Sequence, residues 1–414
     1  MEKNKIQQFC DQLTQLLSKH CDELTMQKIE TKLSVIRKSE KELLTQAKKI
    51  LDGDAVQSLV EESFIYPSIA ECQIVLPKKE FIGMVTKIAN LCMEYGEFAS
   101  AEALLNNAIE TARDGKQFMN LAAEALQSRA GVLVRQARWE PAEDDIKESR
   151  RLFTLTKNDI GIGKNENTLG IYSAQQGKTK ESIVHFRKAA ALFEKTKQGD
   201  LSSTAHMNLG IVATMRGNFD EALVAYKRAL PEFENAGDVS RLAELHHNLG
   251  MLFLTRTELD SAQEQFDESL NYSGQINYED LIGLASLGKA TAFARKKDFP
   301  LAQVYGNKAL QIFRKLNAHL SVADTYKVKG IIQRELKHYD AAELYFNTSI
   351  SLNLRYRSQV NLGEAYYEVG QLYKECNDAK KAKQVFQKSL KCFRQVGAKH
   401  NIEQVKAQMS SLKN

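Results

Sequence analysis

The chain has 414 residues, 43% hydrophobic and 26% charged, which describes a soluble protein able to bury a large core. No stretch approaches the roughly 18 consecutive apolar residues of a membrane span, and the opening MEKNKIQQFC lacks the apolar run of a signal peptide. The net charge of +5 is uneven: residues 374–414 carry ten Lys and Arg against three acids, and residues 1–50 ten against seven.

These basic ends read as solvated faces of terminal helices, with an acidic partner as the sharper alternative. Six cysteines (Cys10, Cys21, Cys72, Cys92, Cys376, Cys392) form no C-x-x-C pair. That usage fits reduced thiols and a cytoplasmic location better than a disulfide framework.

Over residues 1–80, Ile6, Phe9, Leu13 and Leu16 form one apolar stripe, and Ile29, Leu33, Ile36, Leu43, Ala47 and Ile50 form another. The phase shifts between residues 20 and 26, so two helices are predicted. LDGD (51–54) ends the second, and Pro67 and Pro77 bracket a less regular connector. The segment is expected to be a helical hairpin docked on the region that begins at residue 81; a dimerisation or effector module is the alternative.

From residue 81 the chain repeats itself, and such a period must be read before any local motif. One small-residue column runs Ala89, Ala130, Gly170, Gly210, Gly250, Ala290, Gly330, Gly370. Twelve residues later comes Ala101, Ala142, Ser182, Ala222, Ala262, Ala302, Ala342, Ala382. Next is a bulky column: Leu105, Ile146, Phe186, Tyr226, Phe266, Gly306, Phe346, Phe386. Three residues further on is a last small one: Ala108, Ser149, Ala189, Ala229, Ser269, Ala309, Ser349, Ser389. Apolar spacings of three and four flank short breaks such as RGNFDE (216–221), so each unit reads as two amphipathic helices. The small residues let helices approach and the ring fills the gap. Gly306 interrupts the bulky column, and Tyr305 is expected to fill its place.

Within the third unit, GIGKNENTLG (161–170) imitates a phosphate loop. A P-loop needs Ser or Thr after Gly-Lys and a glycine five residues before Gly163; Asn165 and Asn158 stand there instead. The Leu-Gly ending recurs in LSSTAHMNLG (201–210) and RLAELHHNLG (241–250), so Gly170 belongs to the repeat. Freed of a phosphate, Gly161 is expected to tolerate alanine.

The Leu-Gly pair, an aromatic near the turn (Phe98, Trp139, Phe219, Phe299, Tyr339) and the later Ala, Phe/Tyr and Ala resemble a tetratricopeptide repeat over residues 81–396. The 40-residue period is longer than the usual unit and is similar to kinesin light chains, Pins-type polarity scaffolds and Rap-type bacterial regulators. The resemblance implies an all-α, right-handed superhelical solenoid of about eight helix-turn-helix repeats whose first helices line a concave face. Residues 1–80 would then be an N-terminal hairpin and connector, 81–396 the repeats, and 397–414 a capping helix with Ile402, Val405 and Met409 as its apolar face.

No constellation for catalysis is found. His206 and His246 share a repeat position, but no Cys or acidic cluster completes a zinc site there. LASLG (284–288) lacks the first glycine of a nucleophile elbow. The chain is read as non-enzymatic, without cofactor or metal. Nucleic acid and membrane are not expected partners, since basic residues do not alternate with aromatics along the first helices.

The candidate site is the concave groove, taken to bind a protein or peptide. Flanking the Leu-Gly pairs are Asn167 and Ile171, then Met207, Asn208 and Ile211, then His247, Asn248 and Met251, with Lys164 and Arg135 towards the N-terminal side. An Asn amide offers donor and acceptor to a peptide backbone. In kinesin-light-chain-type repeats an Asn before Leu-Gly serves this purpose; Asn208 and Asn248 match it and Thr168 does not. The expected function is a protein-interaction adaptor. A peptide-responsive regulator whose N-terminal helices grip an effector is the alternative, and an oligomeric structural element assembled through its ends, with the N-terminal helices as one contact, a weaker one.

Overall fold

The computed structural model describes residues 12–13, 15–21, 26–27 and 66–412, except 95–97, 114, 137, 317, 357 and 397. Ile6 and Phe9 of the first stripe and all of the second, Ile29 to Ile50, therefore lie outside the described residues, while Leu13 and Leu16 lie within them. Contacts divide the chain into two compact units, Met1–Leu169 and Gly170–Asn414.

The fold is all-α, a helical-repeat solenoid built of consecutive packed pairs. In the first unit run α1 (Tyr66–Val75), α2 (Lys78–Glu94), α3 (Phe98–Ala112), α4 (Met119–Arg135) and α5 (Trp139–Leu155), and α6 (Asp159–Gln175) carries the division. The second continues with α7 (Thr179–Lys195), α8 (Gly199–Arg216), α9 (Phe219–Ala236), α10 (Val239–Thr255), α11 (Leu259–Gln275) and α12 (Glu279–Arg295). It ends with α13 (Phe299–Lys315), α14 (His319–Glu335), α15 (Tyr339–Arg355), α16 (Gln359–Glu375), α17 (Ala379–Gln395) and α18 (Lys399–Ser410).

The turns explain the long period. Residues with φ between +52° and +79° recur every twenty positions: Lys157, Gly177, Lys197, Gly217, Gly237, Thr257, Asn277 and Lys297. Lys337 and Asn377 keep the same phase. The residue after each donates its N–H to the carbonyl five residues back, as from Lys178 to Ser173 and from Gln198 to Phe193, both at 2.8 Å. This is the Schellman closure, which satisfies carbonyls left open at a helix end. Each 40-residue repeat is thus two halves of one helix and one short turn.

Packing follows the columns. A Cβ on Gly170, Gly250, Gly330 or Gly370 would come within 2.6 Å of the ring of Phe186, Phe266, Phe346 or Phe386, so a helix backbone lies directly on each ring. A second ring column is Phe153, Phe193, Phe233, Phe313 and Phe393, all buried. Phe153 corrects the expectation for Gly161: a Cβ there would stand 2.3 Å from the ring. The serines of the last small column are hydrogen-bonded as well as small. Ser149, Ser269 and Ser389 donate to the carbonyls of Ala123, Ala243 and Gly363 at 2.8, 2.9 and 2.7 Å.

At Gly306 the nearest neighbour of an added Cβ is the Ala290 methyl, at 3.8 Å. Tyr305 supplies the ring instead, stacked on Phe293 at 5.5 Å and packed beside Ala290 and Ala302.

In the first unit Leu13 and Leu17 are buried with Ile69 and Cys72 of α1 and Phe81, Val85 and Ile88 of α2. A helix, α1, thus occupies residues read as a less regular connector. Pro67 sits in its first turn, where a missing N–H costs no hydrogen bond, and Pro77 comes just after its end. At the other end, Val405 of α18 is fully buried against Phe386, Leu390 and Phe393 of α17.

Candidate functional site

The predicted groove residues fall in both units and differ in what they offer. In the first, Arg135 ends α4 and is exposed, as is Lys164 on α6, while Asn167 is partly exposed and already engaged. Thr168, which replaces the expected Asn, is 5% exposed. Its hydroxyl accepts from Gln127 Nε2 at 3.0 Å and donates to the Lys164 carbonyl at 3.1 Å.

In the second unit Asn208 of α8 and Asn248 of α10 are partly exposed, one repeat apart. Ile211 lies beside the first, and Met251, 40% exposed, beside the second. Ile171 is half-buried on Ile183 and Phe186. Met207 is corrected: at 4% exposure it belongs to the core around Tyr226 and Phe233 and cannot line a surface. His247 is largely enclosed, its ring tilted on Phe266 at 5.8 Å, and burial lowers its pKa to about 4. It presents a neutral imidazole.

His206 and His246 do not converge. His206 Nε2 lies 3.3 Å from Glu194, whereas His246 Nδ1 pairs with Gln265 at 2.9 Å and its ring stacks on Tyr272. Among the described residues no group of three His, Cys, Asp or Glu could hold a metal ion.

Sequence reasoning stopped at the middle repeats and missed the charged residues in the same columns of α12, α14 and α16. Lys327 stands two repeats beyond His247, and Arg334 two repeats beyond Leu254. Lys327 Nζ pairs with Asp324 at 3.1 Å and with Glu364, and Asn361 Nδ2 donates to the other Asp324 oxygen at 3.0 Å. Burial works against the Lys327 ammonium, but the two carboxylates outweigh it and hold its pKa above the ordinary value. Burial also raises Asp324, with Lys327 opposing.

Arg334 pairs with Glu368 at 2.7 Å, Glu375 at 3.1 Å and Glu335 at 3.4 Å. Arg295 turns to the Leu254 carbonyl at 2.6 Å. Five carboxylates, Asp324, Glu335, Glu364, Glu368 and Glu375, thus gather around Lys327 and Arg334. Repeating the 40-residue step to the end of the chain would have exposed this set.

The tetratricopeptide-repeat family matches at residues 161–231, 200–273, 281–355 and 363–392, more than half of the chain. The chain belongs to this family. No curated protein matches it. Among solved structures it is similar to the apo form of the quorum sensor NprR from B. thuringiensis (15% identity, TM-score 0.57, covering 89% of this chain and 99% of that one). It is also similar to the Rap conjugation gene regulator of plasmid pLS20 in complex with the Phr* peptide (12%, TM-score 0.58, 77% and 91%). A third is aspartyl phosphate phosphatase F from Bacillus subtilis (13%, TM-score 0.52, 87% and 94%). At these identities the likeness shows the fold. No helix of the described residues is long and apolar enough to cross a membrane.

Proposed function

We propose that the protein is a peptide-binding interaction module, with the first-helix face of the second unit as its groove. The observation that carries this is the pair Asn208 and Asn248, partly exposed on successive first helices beside Ile211 and Met251. Two amides one repeat apart suit the regular donors and acceptors of a peptide backbone, and the apolar neighbours suit its side chains. The five carboxylates gathered around Lys327 and Arg334 favour a cationic group on the peptide, its amino terminus or a basic side chain. Similar folds that include a regulator complexed with a peptide support the reading. The tetratricopeptide-repeat match supports a non-enzymatic adaptor.

The test is selection of short peptides from a random library on the full chain, followed by calorimetric titration. Replacing both Asn208 and Asn248 by Ala is expected to weaken binding by about 1–3 kcal/mol, near ten- to hundredfold, with unchanged melting. Native affinity in that double variant would remove these amides from the mechanism. A regulator in which residues 1–80 grip an effector is the second reading, favoured by the docking of Leu13 and Leu17 on α1 and α2. Partner loss on deletion of that segment would select it.

A further inference from the structure

In the first unit two thiols that the proposed function does not use lie against each other. Cys21 comes just after the N-terminal helical turn, which closes with the Cys21 N–H on the Leu17 carbonyl at 2.9 Å. Cys72 lies on α1, fifty-one residues later in the chain, and is fully buried. Their Sγ atoms are 3.4 Å apart, van der Waals contact and not a bond. A disulfide needs a separation of about 2.05 Å, so a closure of roughly 1.4 Å, within reach of small side-chain rotations, would join them. Cys10 lies outside the described residues.

The two sulfurs are unequal. Cys72 is shut off from solvent, so a soluble oxidant reaches the pair through Cys21, which is partly exposed. The residue beside it, His20, has Nε2 3.5 Å from Lys87 Nζ, and Glu80 acts on the same ring with opposite sign. The thiolate is the form that reacts, and the partly exposed Cys21 is the sulfur that solvent can deprotonate.

We propose that Cys21 and Cys72 form a redox pair that closes to a disulfide under hydroperoxide and locks the N-terminal turn onto α1. The Cys21 thiolate attacks one peroxide oxygen; the O–O bond breaks, leaving a sulfenic acid on Cys21 and a hydroxide that takes up the proton lost from Cys21. The Cys72 sulfur then attacks the Cys21 sulfur. The S–S bond forms as the S–O bond breaks, and the departing hydroxide leaves as water with the Cys72 proton. Two thiols are oxidised by two electrons in total, and one hydroperoxide is reduced to water, or to water and an alcohol. A bond there adds a covalent tie to a turn whose Leu13 and Leu17 are buried against α1 and α2.

The experiment treats the full chain with hydrogen peroxide and monitors intact mass, disulfide-linked peptides and thermal melting. The expected result is loss of two hydrogen atoms, one linked peptide pair containing Cys21 and Cys72, and a raised melting temperature that a thiol reductant reverses. Cys21→Ser and Cys72→Ala should each abolish all three changes, and Cys376→Ser should leave them intact. Because the linked-peptide map is made on the unaltered protein, it decides the matter even if Cys72→Ala misfolds. A map joining other cysteines, or Cys21 running on to sulfinic acid while Cys72 stays a thiol, would overturn the pair. Oxidation that joins the two without moving the melting temperature would overturn the lock.

Discussion

Gly210 of α8 lies directly on the ring of Tyr226 of α9: a Cβ there would stand 2.4 Å from the nearest ring carbon. The ring is 1% exposed, and burial raises the phenol pKa to about 12. Neither partner has room to give. Gly210→Leu should therefore destabilise the protein by about 1–3 kcal/mol or more. Gly161→Ala should also destabilise it, because its methyl would meet Phe153. Gly306→Ala should stabilise by up to about 1 kcal/mol, since alanine is the better helix former and the nearest atom is 3.8 Å away. Thermal melts of the three variants check the ranking; a wild-type melt for Gly161→Ala would contradict the ring contact.

The turns permit a test of backbone strain separated from crowding. Gly217 has φ +79° and nothing within 4 Å of an added Cβ, so Gly217→Ala should cost about 1–2 kcal/mol from conformation alone. Lys297 carries a side chain at φ +65°, and Lys297→Gly should gain a comparable or smaller amount. Chemical denaturation of both variants should move the midpoint in opposite directions.

Asn165 on α6 is fully buried, and among the described residues neither of its amide atoms has a hydrogen-bond partner. Its column holds Ala205, Ala285 and Ala365 in later repeats. Asn165→Ala should stabilise the protein by about 1–3 kcal/mol, the penalty of burying unsatisfied polar groups. A lower melting temperature in the variant would show that the amide is in fact satisfied.

His247 makes stability depend on pH. Its folded pKa, depressed by burial to about 4, lies below the ordinary 6.5, so the unfolded chain takes up the proton first as pH falls. The associated stability is complete above pH 6.5 and is lost as pH drops towards 4, by up to about 3 kcal/mol. Leu287 occupies the same column one repeat later, so His247→Leu should remove this share of the acid loss. Melting temperatures of both proteins at steps from pH 7 to 4 would show it; parallel curves would exclude His247 as the source.

We propose that α18 caps the last repeat. Deleting residues 398–414 would uncover Phe386, Leu390 and Phe393, which now pack with Val405. Exposed solenoid ends fray and associate. The shortened chain should aggregate or lose hydrogen-exchange protection over residues 358–396. A monomer with unchanged protection there would refute the assignment.

The repeat, the helix pairs and the ring-on-glycine contacts were legible because each column returns forty residues later with the same chemistry. Tyr305 in place of the ring missing at Gly306 could be inferred the same way. Met207 and His247 could not be told from surface residues: a helix position beside Leu-Gly points partly along the stack, and its depth depends on the next helix. The paired charges of α14 and α16 were visible as letters, but not as partners. Lys327 and Glu364 lie in different repeats, and only helix packing puts them together.

By itself the sequence determined the all-α repeat architecture, because hydrophobic spacing and small-residue columns act within one helix pair and are reiterated along the chain. The tertiary structure decided which side chains remain available. It sank Met207 into the core, turned Gly161 onto Phe153, satisfied Arg334 with carboxylates from other helices and brought Cys21 to Cys72 across fifty-one residues. Such contacts join residues distant in the chain, and distances of this kind are set by how whole helices pack, which no local pattern specifies.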